Sequence, residues 1–573
     1  MLNHDERIFH LKRLTFIFVI YLCFCGPSTA SAQSPNYDLI IRNGRIIDGS
    51  GNPWYSADIA IQGERIAAIG KLDKAGARRV IDASGLVVAP GFIDMLGQSE
   101  ISLLVDNRAI SKLSQGITTE ITGEGGSVAP QDGLTLDALA PSIEPYHLKV
   151  DWTDLDGYFR RLEANGTPIN LGTYVGAAQV REAILGDINR APTPDELEKM
   201  KALVAQTMQQ GAFGISTALI YPPGHYAKTE ELIELAKVAA QYGGIYATHM
   251  RSEGQSEISA IQEVLRIGRE ARLPVEIFHL KVSGKTRAGG MTKVVEMIQN
   301  ARDAGQDVSA DMYPYLAGAT ALASALPPWV ANGGLNKLLE LLKDPATRAR
   351  IKAEMASDHP DWENLYFDSG GASGVMVSSV VNHELKPFTG KTIAEIAATE
   401  KKDPLEALFD FVLADKGQTG ALYFIASEQD LQLGLKQPWT SIGLDANEMP
   451  LDGLLFEPHA HPRTFGSMPR FLGHYARDLK LMSLEQGIRK ITSLPAQREH
   501  LLNRGLLKEG FFADVTIFDP ISIMDKATYT EPAKLSVGVK YVFVNGQLEF
   551  EDGKMTGAMA GKALRSNSVP MPK

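Results

Sequence analysis

Cysteine is nearly absent from this 573-residue chain, which has two, Cys23 and Cys25. Both lie in an apolar N-terminal segment that reads as an export signal. Arg7, Lys12 and Arg13 supply a positive start and "LTFIFVIYLCFCG" an apolar stretch; Ala30 and Ala32 form the small-x-small pattern that places cleavage after Ala32. A chain trimmed there contains no thiol. That excludes disulfides and thiolate metal ligands, and leaves His, Asp, Glu or a modified side chain to hold any metal. Long hydrophobic runs are scarce as well. The N-terminal stretch falls short of the roughly 20 residues that comfortably span a bilayer, with an uncleaved anchor as the alternative, and no second apolar span follows. Bulky residues ahead of each cysteine argue against a lipoprotein cut. Basic blocks are missing beyond that segment and the formal net charge is −11, which argues against a nucleic-acid partner. The expectation is an exported protein, periplasmic or secreted, with no membrane association after cleavage.

What is present is β-type sequence at both ends. Residues 33–85 contain "YDLIIRNGRIIDGSG" and "ADIAIQGERIAAIG", and residues 506–573 contain "ADVTIFDP" and "VKYVFVNGQLEFEDGK". β-branched runs broken by Asn-Gly and Gln-Gly turns predict hairpins, and the shared style predicts one small β-sandwich built from both ends. Between them, residues 86–505 alternate apolar runs with helical patterns. Strands are expected at 86–94, 117–124, 170–175, 212–219, 244–249, 275–281, 307–313 and 440–445. Of the helical stretches between them, such as "PDELEKMKALVAQTMQQG" and "EISAIQEVLRIGREA", several begin after Thr, Ser or Pro and most end near Gly. Eight alternations predict an α/β protein with a (β/α)8 TIM-type barrel. A helical insertion is expected at about 324–437, over the active-site face. A doubly wound open sheet is the alternative, but no Gly-rich dinucleotide turn accompanies it.

Polar residues stand at the C-terminal ends of these strands, where barrel enzymes gather their chemistry. They are Asp94, Glu124, His249, His279, Lys281, Tyr313 and Asp445. His249 in "YATHMRSE" and His279 in "VEIFHLKVSG" end neighbouring strands, as two ligands of one Zn²⁺ would; the alternative for each is a hydrogen-bonded core histidine. Asp445 in "SIGLDANEMP" stands where a carboxylate shuttles the proton of an activated water, unless it is a turn or cap residue.

In order along the chain come "PGFID", "GITTEITGEGGS", "YATHMRSE", "FHLK", "DMYPY", "IGLDA", "HPRTFGSMPRFLGHY", "ITSLPAQR" and "GLLKEGFFADVTIFDP". This series resembles the amidohydrolase superfamily, and within it the N-acyl-D-amino-acid deacylase (D-aminoacylase) branch. The resemblance implies a barrel with a β-sandwich, a divalent metal, usually zinc, and hydrolysis of an acyl–D-amino-acid amide. Two departures from the pattern stand out. Where the branch has His-x-His after the first strand, this chain has Leu96-Gly97-Gln98, and where it has a cysteine ligand, alignment back from Ser127 places Glu124. A carboxylate still binds zinc and suits a thiol-free protein. The expected centre is therefore one metal on Glu124, His249 and His279, with Asp445 as acid–base; a second, weak metal near Gln98 stays open, and the alternative for Glu124 is a hydrogen bond to its own loop. Arg463 can clamp the substrate carboxylate, with Lys281 and Tyr313 as helpers by family analogy, or instead pin a loop by a salt bridge; His459 and His461 shape the pocket. The substrate is expected to be a small N-acyl amino acid or a D-residue dipeptide. A cyclic-amide hydrolase or deaminase on the same scaffold, or a metal-free binding barrel, are the alternatives.

Overall fold

Short β-branched runs bounded by glycine and proline become strands, and the Ala/Leu/Glu-rich stretches between them become helices, in a computed structural model that describes residues 36–566. The signal-sequence reading, both cysteines and the cleavage site lie outside the described residues. Eight parallel strands carry the central part of the chain: β1 (Phe92–Asp94), β2 (Ile117–Thr122), β3 (Asn170–Thr173), β4 (Gly214–Ala218), β5 (Ile245–His249), β6 (Val275–Ile277), β7 (Val308–Met312) and β8 (Thr440–Ile442). β1, β2 and β3 form one ladder, and β4 through β8 follow in sequence order in another. Two seams link the ladders. Phe213 N donates to Thr173 O beside β3 (3.0 Å), and Met95 N to Ile442 O between β1 and β8 (3.3 Å), where Gly97 also bridges Ala446.

Nearly every residue of these strands is buried, as expected for parallel strands covered by helices. The helix Pro194–Gln209 shows how sequence sets such a cover. Thr193 caps it in a reciprocal box with Glu196, Pro194 opens it, and Met200, Val204 and Met208 form its buried stripe.

Both chain ends meet in a nine-stranded sheet. Its seam is Val87–Pro90, parallel to Asn36–Ile46 and antiparallel to Val515–Phe518. The run read as one strand at 86–94 thus divides at Pro90–Gly91. Its first half joins the outer sheet and its second half becomes β1, because proline cannot donate to a ladder and Gly91 lies too close to Thr118 for a β-carbon.

Between β7 and β8 the chain forms helices and a small antiparallel sheet of Ala317–Ala321, Val375–Ser379 and Gly420–Phe424. The sheet is an addition to the helical insertion expected there. Leu322, Val330, Ile351, Val375, Leu408 and Phe411 give this segment a core of its own, so it is a self-packed lobe whose inner face is free to border a cavity.

Candidate metal centre and active site

The carboxyl ends of the parallel strands open into a cavity of about 280 Å³ lined by Gln98, Glu124, His249, His279, Lys281, Tyr313, Asp445 and Arg463, among others. Asp94, His459 and His461 do not line it, but the residues expected as ligands, acid–base and substrate contacts all face this one space. Three of them converge further. Donor atoms of Glu124, His249 and His279 lie within 4.8 Å of one another. Glu124 Oε1 is 3.0 Å from His249 Nδ1 and 3.0 Å from His279 Nε2, and the two imidazole rings stand nearly perpendicular, 4.4 Å between centres.

Local backbone geometry sets this convergence. Glu124 sits between Gly123 (φ 93°) and Gly125 (φ 70°), a sharp turn that a side chain would strain. Gly125 N donates to Ser216 Oγ (3.1 Å) and Ala178 N to Gly125 O (3.0 Å), tying the turn to β4 and to the helix after β3. His279 and Asp445 also adopt left-handed conformations, with φ 34° and 51°. Such strain in non-glycine residues persists where the surroundings enforce it. The His279 amide donates to the Asp311 carboxylate (2.9 Å) and the Asp445 amide to Leu96 O (2.7 Å).

The donor set fits a divalent ion. Burial alone would raise the Glu124 carboxyl, but the hydrogen bonds from His249 and His279 outweigh it and hold the group well below the usual range. His279 has a carboxylate on each side, Glu124 at Nε2 and Glu253 Oε1 3.0 Å from Nδ1. Against burial and the nearby Lys281, these two carboxylates make the ring favour a positive charge. A carboxylate behind a histidine fixes its tautomer and strengthens it as a ligand. His249 Nε2 is buried without a partner. One anionic oxygen and two imidazoles form a donor set of the kind that holds zinc and similar ions.

Asp445 faces this group across Gln98. The Gln98 amide nitrogen donates to Glu124 Oε2 (2.8 Å) and to Asp445 Oδ1 (2.7 Å), while Arg463 pairs with Asp445 Oδ2 (2.8 Å). Burial raises the Asp445 carboxyl, and Arg463 opposes that shift. Arg463 lies over the Tyr313 ring at 4.7 Å, and the Tyr313 hydroxyl has no partner. Lys281, expected to help hold substrate, is turned to Glu253, contacting its two oxygens at 2.8 and 2.7 Å.

Leu96 is buried in the strand core. Asp94 serves structure: it accepts the amides of Leu96 and Leu444 and pairs with the fully buried Lys112 (2.8 Å). His461 accepts the Arg463 amide and lies 2.9 Å from Ala317 O, so it props the loop that presents Arg463. Glu253 and Glu363 were not singled out in the sequence. Glu253 stands four residues past His249 inside "THMRSE", where its acidity was a usable signal. Glu363 lies in the lobe, outside the strand-end pattern.

Residues 79–550 match the Amidohydrolase family. The chain belongs to the amidohydrolase family. A D-aminoacylase of Alcaligenes xylosoxydans xylosoxydans is 36% identical over 93% of this chain and 99% of its own length. An N-acyl-D-aspartate deacylase of the same organism is 34% identical over 93% and 95%. The solved N-acyl-D-glutamate deacylase of Bordetella bronchiseptica, complexed with zinc and a phosphonate mimic of the tetrahedral intermediate, superposes with a TM-score of 0.78 at 32% identity, covering 93% of this chain and 100% of that one. This amidohydrolase therefore resembles the D-aminoacylase branch along nearly all of its length.

Proposed function

We propose that this amidohydrolase is a metal-dependent hydrolase that removes the acyl group from N-acyl-D-amino acids, on a closed (β/α)8 barrel with a terminal β-sandwich. The observation that carries the reading is the meeting of Glu124, His249 and His279 in one cavity with Asp445. The names of the relatives support the D-configured substrate. Those three side chains would hold one zinc ion per chain.

A divalent ion at that position supplies Lewis acidity toward an amide carbonyl and acidifies water. The protein's own groups do the rest. Asp445, oriented by Gln98 and Arg463, takes the proton of the attacking water and passes it to the departing amine nitrogen. The partnerless Tyr313 hydroxyl donates to the oxygen on which charge develops. Arg463 holds the free carboxylate of the substrate, and Lys281 keeps Glu253 and His279 in place. Release of free amino acid from paired N-acetyl-D- and N-acetyl-L-amino acids tests the reading. Zinc-dependent turnover of the D series alone is expected. Turnover of cyclic amides instead would overturn it.

We also propose export, supported by the composition of residues 1–32. N-terminal sequencing of the mature protein should begin at Gln33, and a start at Met1 would contradict this.

A further inference from the structure

Glu363 is 7% exposed and lines the same cavity as the proposed ligands. It is held rigidly. Its Oε2 accepts the Glu253 amide (2.8 Å), and on either side the chain is anchored. Trp362 and Leu365 are buried in the lobe's core, and the Asn364 side chain donates to Met355 O and Ser357 O while accepting the Phe367 amide. The other oxygen, Oε1, is buried and has no partner.

Among the described residues no cation forms an ion pair with it, although Lys281 and His249 lie near enough to act on its charge. Of those lining the cavity, Lys281 is engaged by Glu253, and Arg463 by Asp445 and, in the proposed mode, by the substrate carboxylate. A buried carboxylate oxygen without a partner is costly, and a fixed one facing a ligand cavity is satisfied by what enters. We propose that Glu363 forms a subsite for a primary ammonium group of the substrate. This deepens the proposed amide hydrolysis and rests on it. The ammonium has two sources, a basic D-side chain such as lysine or the free amine of an aminoacyl group, as in a dipeptide ending in a D-residue. An acidic D-side chain would instead meet Glu363 and Glu253 without a free counter-charge.

Two isosteric pairs test this on the zinc-loaded full-length mature protein. N-acetyl-D-lysine is compared with N-acetyl-D-2-aminoheptanoate, and glycyl-D-leucine with N-propionyl-D-leucine. In one pair the charged member should have a kcat/KM about tenfold or more above its isostere, mainly through KM, and Glu363→Gln should bring that ratio to within about twofold. The pair that discriminates identifies the source. Ratios near one in both pairs, or a ratio that survives Glu363→Gln, would overturn the proposal. If that variant fails to fold, Glu363→Asp, with its shorter reach, should lower the ratio, and an unchanged ratio would likewise overturn it. Should no compound be hydrolysed, the activity reading falls by itself. Titration calorimetry with the same four compounds then decides the subsite: about tenfold tighter binding of a charged member supports it, and equal binding refutes it.

Discussion

A single amide joins the two carboxylates of the site. Gln98 donates to Glu124 and Asp445 at once. The nitrogen neutralises neither charge but fixes their separation, and Arg463 provides the counter-charge. Asp445→Asn removes the proposed proton carrier while keeping the shape. It should lower kcat by about 10²–10⁴-fold with metal content unchanged by elemental analysis, and activity near that of the unmodified protein would remove Asp445 from the mechanism. Lys112 is a residue of another kind. It is wholly buried between Asp94 and Glu120 and donates to Ala446 O as well. Lys112→Met leaves two buried carboxylates uncompensated and should cost about 3–5 kcal/mol in urea unfolding. A loss below about 1 kcal/mol would mean that the fold does not depend on this buried charge.

At the scale of elements, the turn after β2 decides where the proposed Glu124 ligand points. Gly125 has φ 70°, and a β-carbon there would press on Ala218. Gly125→Ala should weaken metal binding about tenfold in competition with a chelator, since the Glu124 carboxylate swings with the turn. Unaltered affinity would show that the site tolerates the movement. The strand-end residues were legible in the sequence because parallel strands have a short, strict grammar: a β-branched run, then a polar residue. That grammar pointed to His249, His279 and Asp445, and the deacylase resemblance pointed to Arg463. It also swept in Asp94, whose role is to tie β1 to the start of the loop after β8. It had nothing to say of Glu363, which reaches the cavity from a lobe that folds on its own core, or of the division at Pro90–Gly91, where one apolar run serves two sheets. Contacts made across such long separations leave no local pattern.

For the whole molecule, buried carboxylates away from the cavity tie stability to pH. Burial lifts the Glu499 carboxyl from an ordinary 4.5 to about 8, although the Tyr174 hydroxyl donates to it at 2.5 Å. Between those values the native state holds a proton that the unfolded chain lacks. The stabilisation from this group is therefore complete below about pH 4.5 and is lost as pH rises toward 8. Glu276, raised to about 7 by burial, acts in the same direction. From pH 5 to 8 the unfolding free energy should fall with pH. Glu499→Gln should reduce that slope by up to about 1.4 kcal/mol per pH unit, and equal slopes in both proteins would show that Glu499 is ionised in the native state. The central claim concerns the metal, and its direct test is elemental analysis of the purified mature protein beside Glu124→Ala and His279→Ala. The account predicts one zinc per chain, lost in both variants. Absence of metal after reconstitution, or full retention in either variant, would contradict it.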